Sequence, residues 1–221
     1  MANGTSGTRS VAKNNAGTAP ELAAVNDLPQ MGYINGEPLW DEDGVEWIQQ
    51  NLHITKQQAE IYQDAVAHFT GANYEEIRAA QQSGTANKHG QRGAALEDYI
   101  SAAPQWDNSQ ELYRGVALDQ STVNGISKAL KSKKPFDVNH GATASWTTDN
   151  ELAEAYSNEP GKIPVVFKSK KTRNATPVMH LSSVGDESEV IVSKKNKYRP
   201  TKITKTKLAG KDGYIIEVEQ L

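Results

Sequence analysis

Residues 55–69, TKQQAEIYQDAVAHF, place Ala59, Tyr62, Val66 and Phe69 three and four positions apart. That spacing is one face of a helix, with Thr55 as its N-cap and Gly71 as its stop. Two further helices are predicted at about 73–82 and 92–103, the second ending before Pro104. The pattern then changes. ELYRGVAL is a short apolar run around one arginine, STVNGISKALKS reads as a helix, and GATASWTT reads as a strand. TDNE at 148–151 fits a capping box, with Thr148 as N-cap and Glu151 at the third helical position, opening a helix to about Tyr156. IPVVFKS, TPVMHL, SEVIVS, TKITKTKL and GYIIEVEQ follow, strand-like runs separated by Gly, Lys and Asn turns. Helices first and strands later, without strict alternation, predict an α+β fold.

Ahead of these elements, residues 1–30 are rich in Gly, Ala, Asn, Thr and Ser without a period and read as a disordered tail. YINGEPLWDEDG is a turn-rich lead-in, with Asn35-Gly36 as a tight turn. The chain therefore divides into a tail at 1–30 and one domain over 31–221, helical over about 41–108 and β-rich over about 109–221. Its 221 residues contain no cysteine, which excludes a disulfide framework, a thiolate nucleophile and a cysteine zinc site. No run of about 18 apolar residues is present, and the N-terminus lacks the apolar stretch of a signal peptide. The expectation is a soluble protein without a membrane partner.

A net charge of -3 makes no case for generic nucleic-acid binding, so a nucleic-acid partner is not expected. The charge is uneven, however. Residues 1–161 hold 11 Lys+Arg against 21 Asp+Glu, and residues 162–211 hold 13 against three, namely Asp186, Glu187 and Glu189. An acidic cluster inside a basic third of the chain is unusual surface. The basic surroundings suit phosphates or an acidic partner, or are the soluble edges of Lys-rich strands.

Several chemistries are absent. There is no Gly-rich phosphate loop after a strand and no G-x-S-x-G elbow. The five histidines, at 53, 68, 89, 140 and 180, lack ligand spacing, and no metal is expected. Asn174-Ala175-Thr176 matches a glycosylation acceptor and reads as loop.

Three stretches remain. In GDESEVIV, strand alternation puts Glu187 and Glu189 on one side, with Glu189 at the first firmly held position and Glu187 on a looser turn. Taken alone such a pair is commonly a solvated edge. In LYRG, Arg114 sits inside an apolar strand and must find a partner; its fork suits a phosphate or carboxylate, and Gly115 lets a ligand approach the backbone. A structural arginine is the plainer reading. In ATASWTTDNELAEAYS, a Ser-x-Thr strand end at Ser145 and Thr147 runs into a capped helix, and Ser145 is not needed for the cap.

In order and spacing these three resemble the Arg–Ser–Glu class of mono-ADP-ribosyltransferases, which includes bacterial toxins, secreted effectors and bacteriophage-encoded enzymes. Arg114 matches the arginine of the first core strand, Ser145-Trp146-Thr147 the Ser-Thr-Ser element, and Glu187-Ser188-Glu189 the late Glu-x-Glu. AHFTGANYEEI (67–77) is similar to the family's helical YTG…Y…I segment, and ALEDYISAAPQWDNSQELYRG (95–115) to its approach to the first strand. The resemblance covers roughly residues 55–221. The departures are Trp146 and Thr147 where Thr and Ser are usual, Arg78 where Asn is common, and a turn before Glu187 without an aromatic.

The resemblance implies N-terminal helices packed on a two-sheet β core of the ADP-ribosyltransferase type. It implies transfer of ADP-ribose from NAD, the substrate, to a protein side chain, with nicotinamide released. Glu189 would stabilise the positive charge that develops on the ribose. Arg114 would hold the diphosphate or brace the site, Ser145 would orient Glu189, the Gly115 backbone would hold the nicotinamide amide, and Thr147 would complete the NAD site. Glu187 would orient or deprotonate the acceptor. A Glu there implies an arginine acceptor on a target protein, in the cytoplasm of a host or target cell. The alternatives are an NAD glycohydrolase and a non-catalytic binding module using the basic C-terminal strands.

Overall fold

The structure, a computed structural model, describes residues 33–34, 37–38, 41–178, 180–182 and 188–221. The tail at 1–30, the Asn35-Gly36 turn and Glu187 lie outside the described residues. The chain opens with β1 (Tyr33–Ile34) paired antiparallel to β2 (Glu37–Pro38). Four helices follow: α1 (Asp41–Leu52), α2 (Lys56–Phe69), α3 (Tyr74–Ser83) and α4 (Lys88–Ala102). The rest is β3 (Leu112–Leu118), α5 (Gln120–Ser132), β4 (Ala144–Thr147), α6 (Asn150–Tyr156), β5 (Ile163–Ser169), β6 (Ala175–Pro177), β7 (Glu189–Val192), β8 (Tyr198–Leu208) and β9 (Lys211–Gln220).

Helices come first and strands later, as the periodicity predicts. Thr55 caps α2 by accepting a bond from the Gln58 amide, and Ala59, Tyr62, Val66 and Phe69 are buried. Three local readings differ. α1 falls in the part expected to be helical, but no helix was delimited there, because its first turn is polar and its buried apolar side chains are Val45, Trp47 and Ile48, with Leu52 half-buried beside them. α4 starts earlier than residue 92, because Asn87 caps it by accepting from the Gly90 amide. The cap of α6 is Asp149, not Thr148: the Asp149 carboxylate accepts from the Glu151 and Leu152 amides. The Thr148 amide is still bonded to the Ser188 carbonyl at 3.4 Å, so Thr148 belongs to the strand side of the junction.

The seven larger strands run in the order β6-β7-β4-β3-β5-β9-β8, antiparallel except for β5 with β9. β3 and β4 touch at a single residue pair, Tyr113 with Thr147. One narrow joint thus links a three-strand part, β6-β7-β4, to a four-strand part, β3-β5-β9-β8. Between them lies an apolar core that includes Leu112, Trp146, Phe167, Val190, Val192 and Ile216, closed by Val123 and Ile126 of α5. A second core joins α1, α2 and α4 to Val178, Leu181 and Ile191.

That division fixes where the chemistry sits. On β7, Val190 and Val192 enter the core between the sheet parts and Ile191 enters the helical core. Alternation therefore puts Glu189 on the helical side with Ile191. β4 pairs Ser145 with Ile191 and Thr147 with Glu189, so both hydroxyls share that side while Trp146 goes inward. Trp146 stacks on Tyr198 and donates its indole N–H to Asn139. The large apolar residue in the middle of the Ser-x-Thr element has its side chain in the core.

Candidate active site

A cleft of about 650 Å³ opens between α2, α3 and α6 on one side and β3, β4 and the start of β7 on the other. Arg114, Gly115, Ser145, Thr147 and Glu189 all line it, so five of the six residues singled out from sequence converge. Glu187 lies outside the described residues. The alternation that would place it beside Glu189 needs an extended Ser188, but Ser188 has a φ of 46°, in the left-handed region. β7 begins only at Glu189.

Glu189 is 3% exposed at the floor of the cleft. Ser145 Oγ donates to its Oε1 at 2.5 Å, and Ser182 Oγ donates to Oε2 at 3.3 Å. Both carboxylate oxygens are held, which limits rotation of the side chain toward solvent. Ser182 was not singled out from sequence; its signal was the hydroxyl pair Ser182-Ser183 just ahead of the glutamates.

Arg114 is 8% exposed. It donates from Nη1 to the Ser145 carbonyl at 2.8 Å, and Tyr74 Oη lies 3.4 Å away. The bond to the Ser145 backbone ties the arginine of β3 to the strand carrying the serine, across the narrow joint between the sheet parts. Its Nε is buried without a hydrogen-bond partner. An unsatisfied buried donor on a cation lining a cleft is a place for an anionic ligand atom.

Gly115 is required for a reason other than ligand approach. A Cβ there would lie 1.7 Å from the carbonyl oxygen of Ala153. The missing side chain lets α6 lie on β3 and so sets one wall of the cleft. Thr147 Oγ1 accepts from the Asp149 amide at 3.0 Å, joining the site strand to the start of that helix.

Three cleft residues were not picked out by sequence reasoning. Tyr74 and Arg78 stand four apart on α3, and the Arg78 guanidinium lies 5.2 Å from the Tyr74 ring centre. Arg78 is buried and donates to the backbone carbonyls of Thr143 and Asn139, which bracket the approach to β4. His140 is the third. Burial raises the Tyr74 phenol, but the charges of Arg114 and Arg78 outweigh it, and the group lies below its ordinary value. Burial, reinforced by the same two arginines, pulls the His140 imidazole below its ordinary value and keeps it neutral at pH 7. Burial and the neighbouring Arg114 also pull Arg78 down. The cleft is thus lined by two cations, Arg78 of α3 and Arg114 of β3, and by two carboxylates, Glu75 of α3 and the fixed Glu189 of β7. Tyr156, 60% exposed, stands at its mouth. Among the described residues no group of three or more His, Cys, Asp or Glu could hold a metal ion.

No protein-family model and no curated protein sequence matches the chain. The fold is that of the ADP-ribosyltransferases. Among solved structures, the ADP-ribosyltransferase HopU1 of Pseudomonas syringae pv. tomato DC3000 aligns over 90% of this chain and 88% of its own at a TM-score of 0.59, with 14% identity. Exoenzyme S from Pseudomonas aeruginosa, solved with human 14-3-3 protein beta and carba-NAD, aligns over 72% and 73% at 0.54, with 12% identity. The ADP-ribosyltransferase Vis, solved in complex with agmatine, aligns over 88% and 90% at 0.54, with 19% identity.

Proposed function

We propose that residues 31–221 form a mono-ADP-ribosyltransferase unit that takes NAD as substrate and transfers ADP-ribose to a protein side chain, an arginine. The observation that carries this reading is Glu189, buried at the floor of the cleft, clamped by Ser145 at 2.5 Å and facing the same space as Arg114. The cleft volume is within the range of small-ligand sites.

The bond that breaks joins the ribose C1′ to the nicotinamide nitrogen. Its electron pair leaves with nicotinamide, which departs neutral, so no general acid is required. The ribose becomes oxocarbenium-like, and the fixed Glu189 carboxylate stabilises that charge. Ser145 and Ser182 hold the carboxylate in place. The Arg114 Nε–H, with Arg78 behind it, suits the diphosphate, and Tyr156 at the mouth suits a planar ring. The acceptor nitrogen then bonds to C1′ and loses a proton, and Glu187 is the group proposed to receive it.

Two neighbours support the choice of ligands. Exoenzyme S was solved with carba-NAD and Vis with agmatine, which ends in the same guanidinium as arginine. On this reading the partner is a target protein, met in the cytoplasm of a host or target cell.

The test is incubation with labelled NAD, alone and with a lysate of candidate target cells. Nicotinamide release with label on arginine residues is the expected result. Release without protein labelling reduces the activity to NAD hydrolysis. Absence of release under both conditions overturns the reading.

A further inference from the structure

The basic third of the chain resolves into two populations of cations. On the edge strand β8 the charges are spent within the hairpin with β9: Arg199 pairs with Glu219, Lys202 with Glu217, and Lys205 and Lys207 with Asp212. Two loops behave otherwise. Lys170-Lys171-Thr172-Arg173 follows β5, and Lys194-Lys195-Asn196-Lys197 follows β7. Both tetrads read Lys-Lys-x-cation, and in both the third residue is buried, Thr172 at 1% and Asn196 at 2% exposed.

The buried residues anchor the loops and bind them to each other. Thr172 takes the Asn108 side-chain oxygen on its amide and donates from its hydroxyl to Ser169. Asn196 Nδ2 donates to the Arg173 carbonyl at 2.7 Å, and the Ser193 amide donates to the Asn174 carbonyl at 2.9 Å. Asn174 Nδ2 completes the link by donating to Asn196 Oδ1. Six cations are therefore held side by side on two anchored loops. None of the six forms an ion pair among the described residues, and five are exposed, Lys194 being half-buried. Among neighbouring acids, Glu111 and Glu217 are already paired with Lys168 and Lys202, and Glu97 is held by Thr143, Ser193 and the Lys194 amide.

We infer that this double-loop patch binds the phosphodiester backbone of nucleic acid, without reading its sequence. A stable protein interface is depleted of charge at its centre and carries aromatic or apolar anchors there. The two tetrads contain neither. They also offer no aromatic side chain on which a base would stack, which leaves the phosphates as the ligand. The anchored loops pre-order the cations, so little chain entropy is lost on contact. The patch lies apart from the cleft: β4 and β7 pair Ala144 with Val192 at the patch end and Thr147 with Glu189 at the cleft end. Binding at one is compatible with an open cleft at the other.

The experiment titrates the full chain against a fluorescent DNA duplex and a single-stranded RNA over a series of salt concentrations. Affinity is expected to fall with salt with a log–log slope approaching about -5, the limit for six neutralised phosphates. A K194E/K195E/K197E variant is expected to bind about tenfold or more weakly at low salt, with a shallower slope. A K202A/K205A/K207A variant on the ion-paired strand should bind as the parent does. Unchanged melting temperatures show that both variants fold. Equal loss in the two variants, no salt-dependent binding by the parent, or tighter capture by phosphatidylserine vesicles or polyglutamate that nucleic acid fails to displace would each overturn the inference. None of these readouts depends on transferase activity, so the outcome is separate from that of the proposed function.

Discussion

Two buried carboxylates, Glu97 and Glu189, lie at opposite ends of the same pair of strands and have different surroundings. Glu97, on α4, accepts from the Thr143 hydroxyl at 2.7 Å, the Ser193 hydroxyl at 2.6 Å and the Lys194 amide at 2.9 Å. Thr143 Oγ1 already accepts from Gln81 Nε2, so its own proton is committed to Glu97. Thr143 is also bonded through its amide to Gln81 Oε1 and through its carbonyl to Arg78. Around Glu97 the space is filled and the donors are fixed. Glu189 is as deeply buried but is held by hydroxyls and lines an open cleft. Burial alone does not separate a structural carboxylate from a reactive one; the space left in front of it does. Glu97 joins the helical half to the ends of β4 and β7, and that attachment positions Ser145, two residues after Thr143, and Glu189, four residues before Ser193.

The contrast breaks most visibly on substituting each glutamate by its amide. Glu189→Gln is expected to lower nicotinamide release by about 10²- to 10³-fold with little change in melting temperature, since it removes charge where charge must develop. Release at the parental rate would remove Glu189 from the chemistry. Glu97→Gln is expected to do the opposite, losing about 2 kcal/mol of stability in urea melts while turnover per folded molecule stays within about threefold, because a charged acceptor for three buried donors is gone. A stable but inactive variant would mean that Glu97 acts in the cleft. Ser145→Ala keeps the carboxylate and removes its principal tether; roughly a tenfold fall in turnover, with NAD affinity nearly kept, is the expected split between kcat and KM.

The smallest effect concerns His180, close in sequence to Ser182 and packed edge-on against Trp47 at 4.1 Å, with neither ring nitrogen hydrogen-bonded. Burial pushes its imidazole down to about 3 from 6.5. The folded state therefore binds fewer protons than the unfolded state below pH 6.5. Its contribution to stability is complete above that value and is lost progressively as pH falls toward 3. Roughly 1 kcal/mol should disappear between pH 7 and 5.5. His180→Phe, which keeps a ring against Trp47, should flatten that part of the pH profile; an unchanged slope would assign it to other groups.

These residues also mark what could be read from the chain. Arg114, Ser145 and Glu189 were legible as a set only because their order and spacing resemble a known family, and they line one cleft. Asp149 displaced Thr148 as the cap because both are good cap residues and only the Ser188 contact decides between them. Tyr74 and Arg78 sat in plain helical spacing, but nothing local says which face of α3 meets the cleft. Glu97 was illegible for a stronger reason: its partners lie 46 and 96 positions away. Gly115 was noticed, but its packing role was not, because the helix that needs the missing Cβ arrives only at Ala153. The bounds of α1 escaped because a polar first turn precedes a short apolar contribution.

The bond from Ser193 back to Glu97 also sets a timetable. A chain emerging from the ribosome has made every helix of the N-terminal half well before Ser193 exists, and until then the donors' shared acceptor on α4 has only Thr143 to meet. Contacts of such long sequence separation form late. A chain that stops short of Ser193 is expected to carry its arginine and serine without a finished hollow around them, so competence waits on β7 and the residue that follows it.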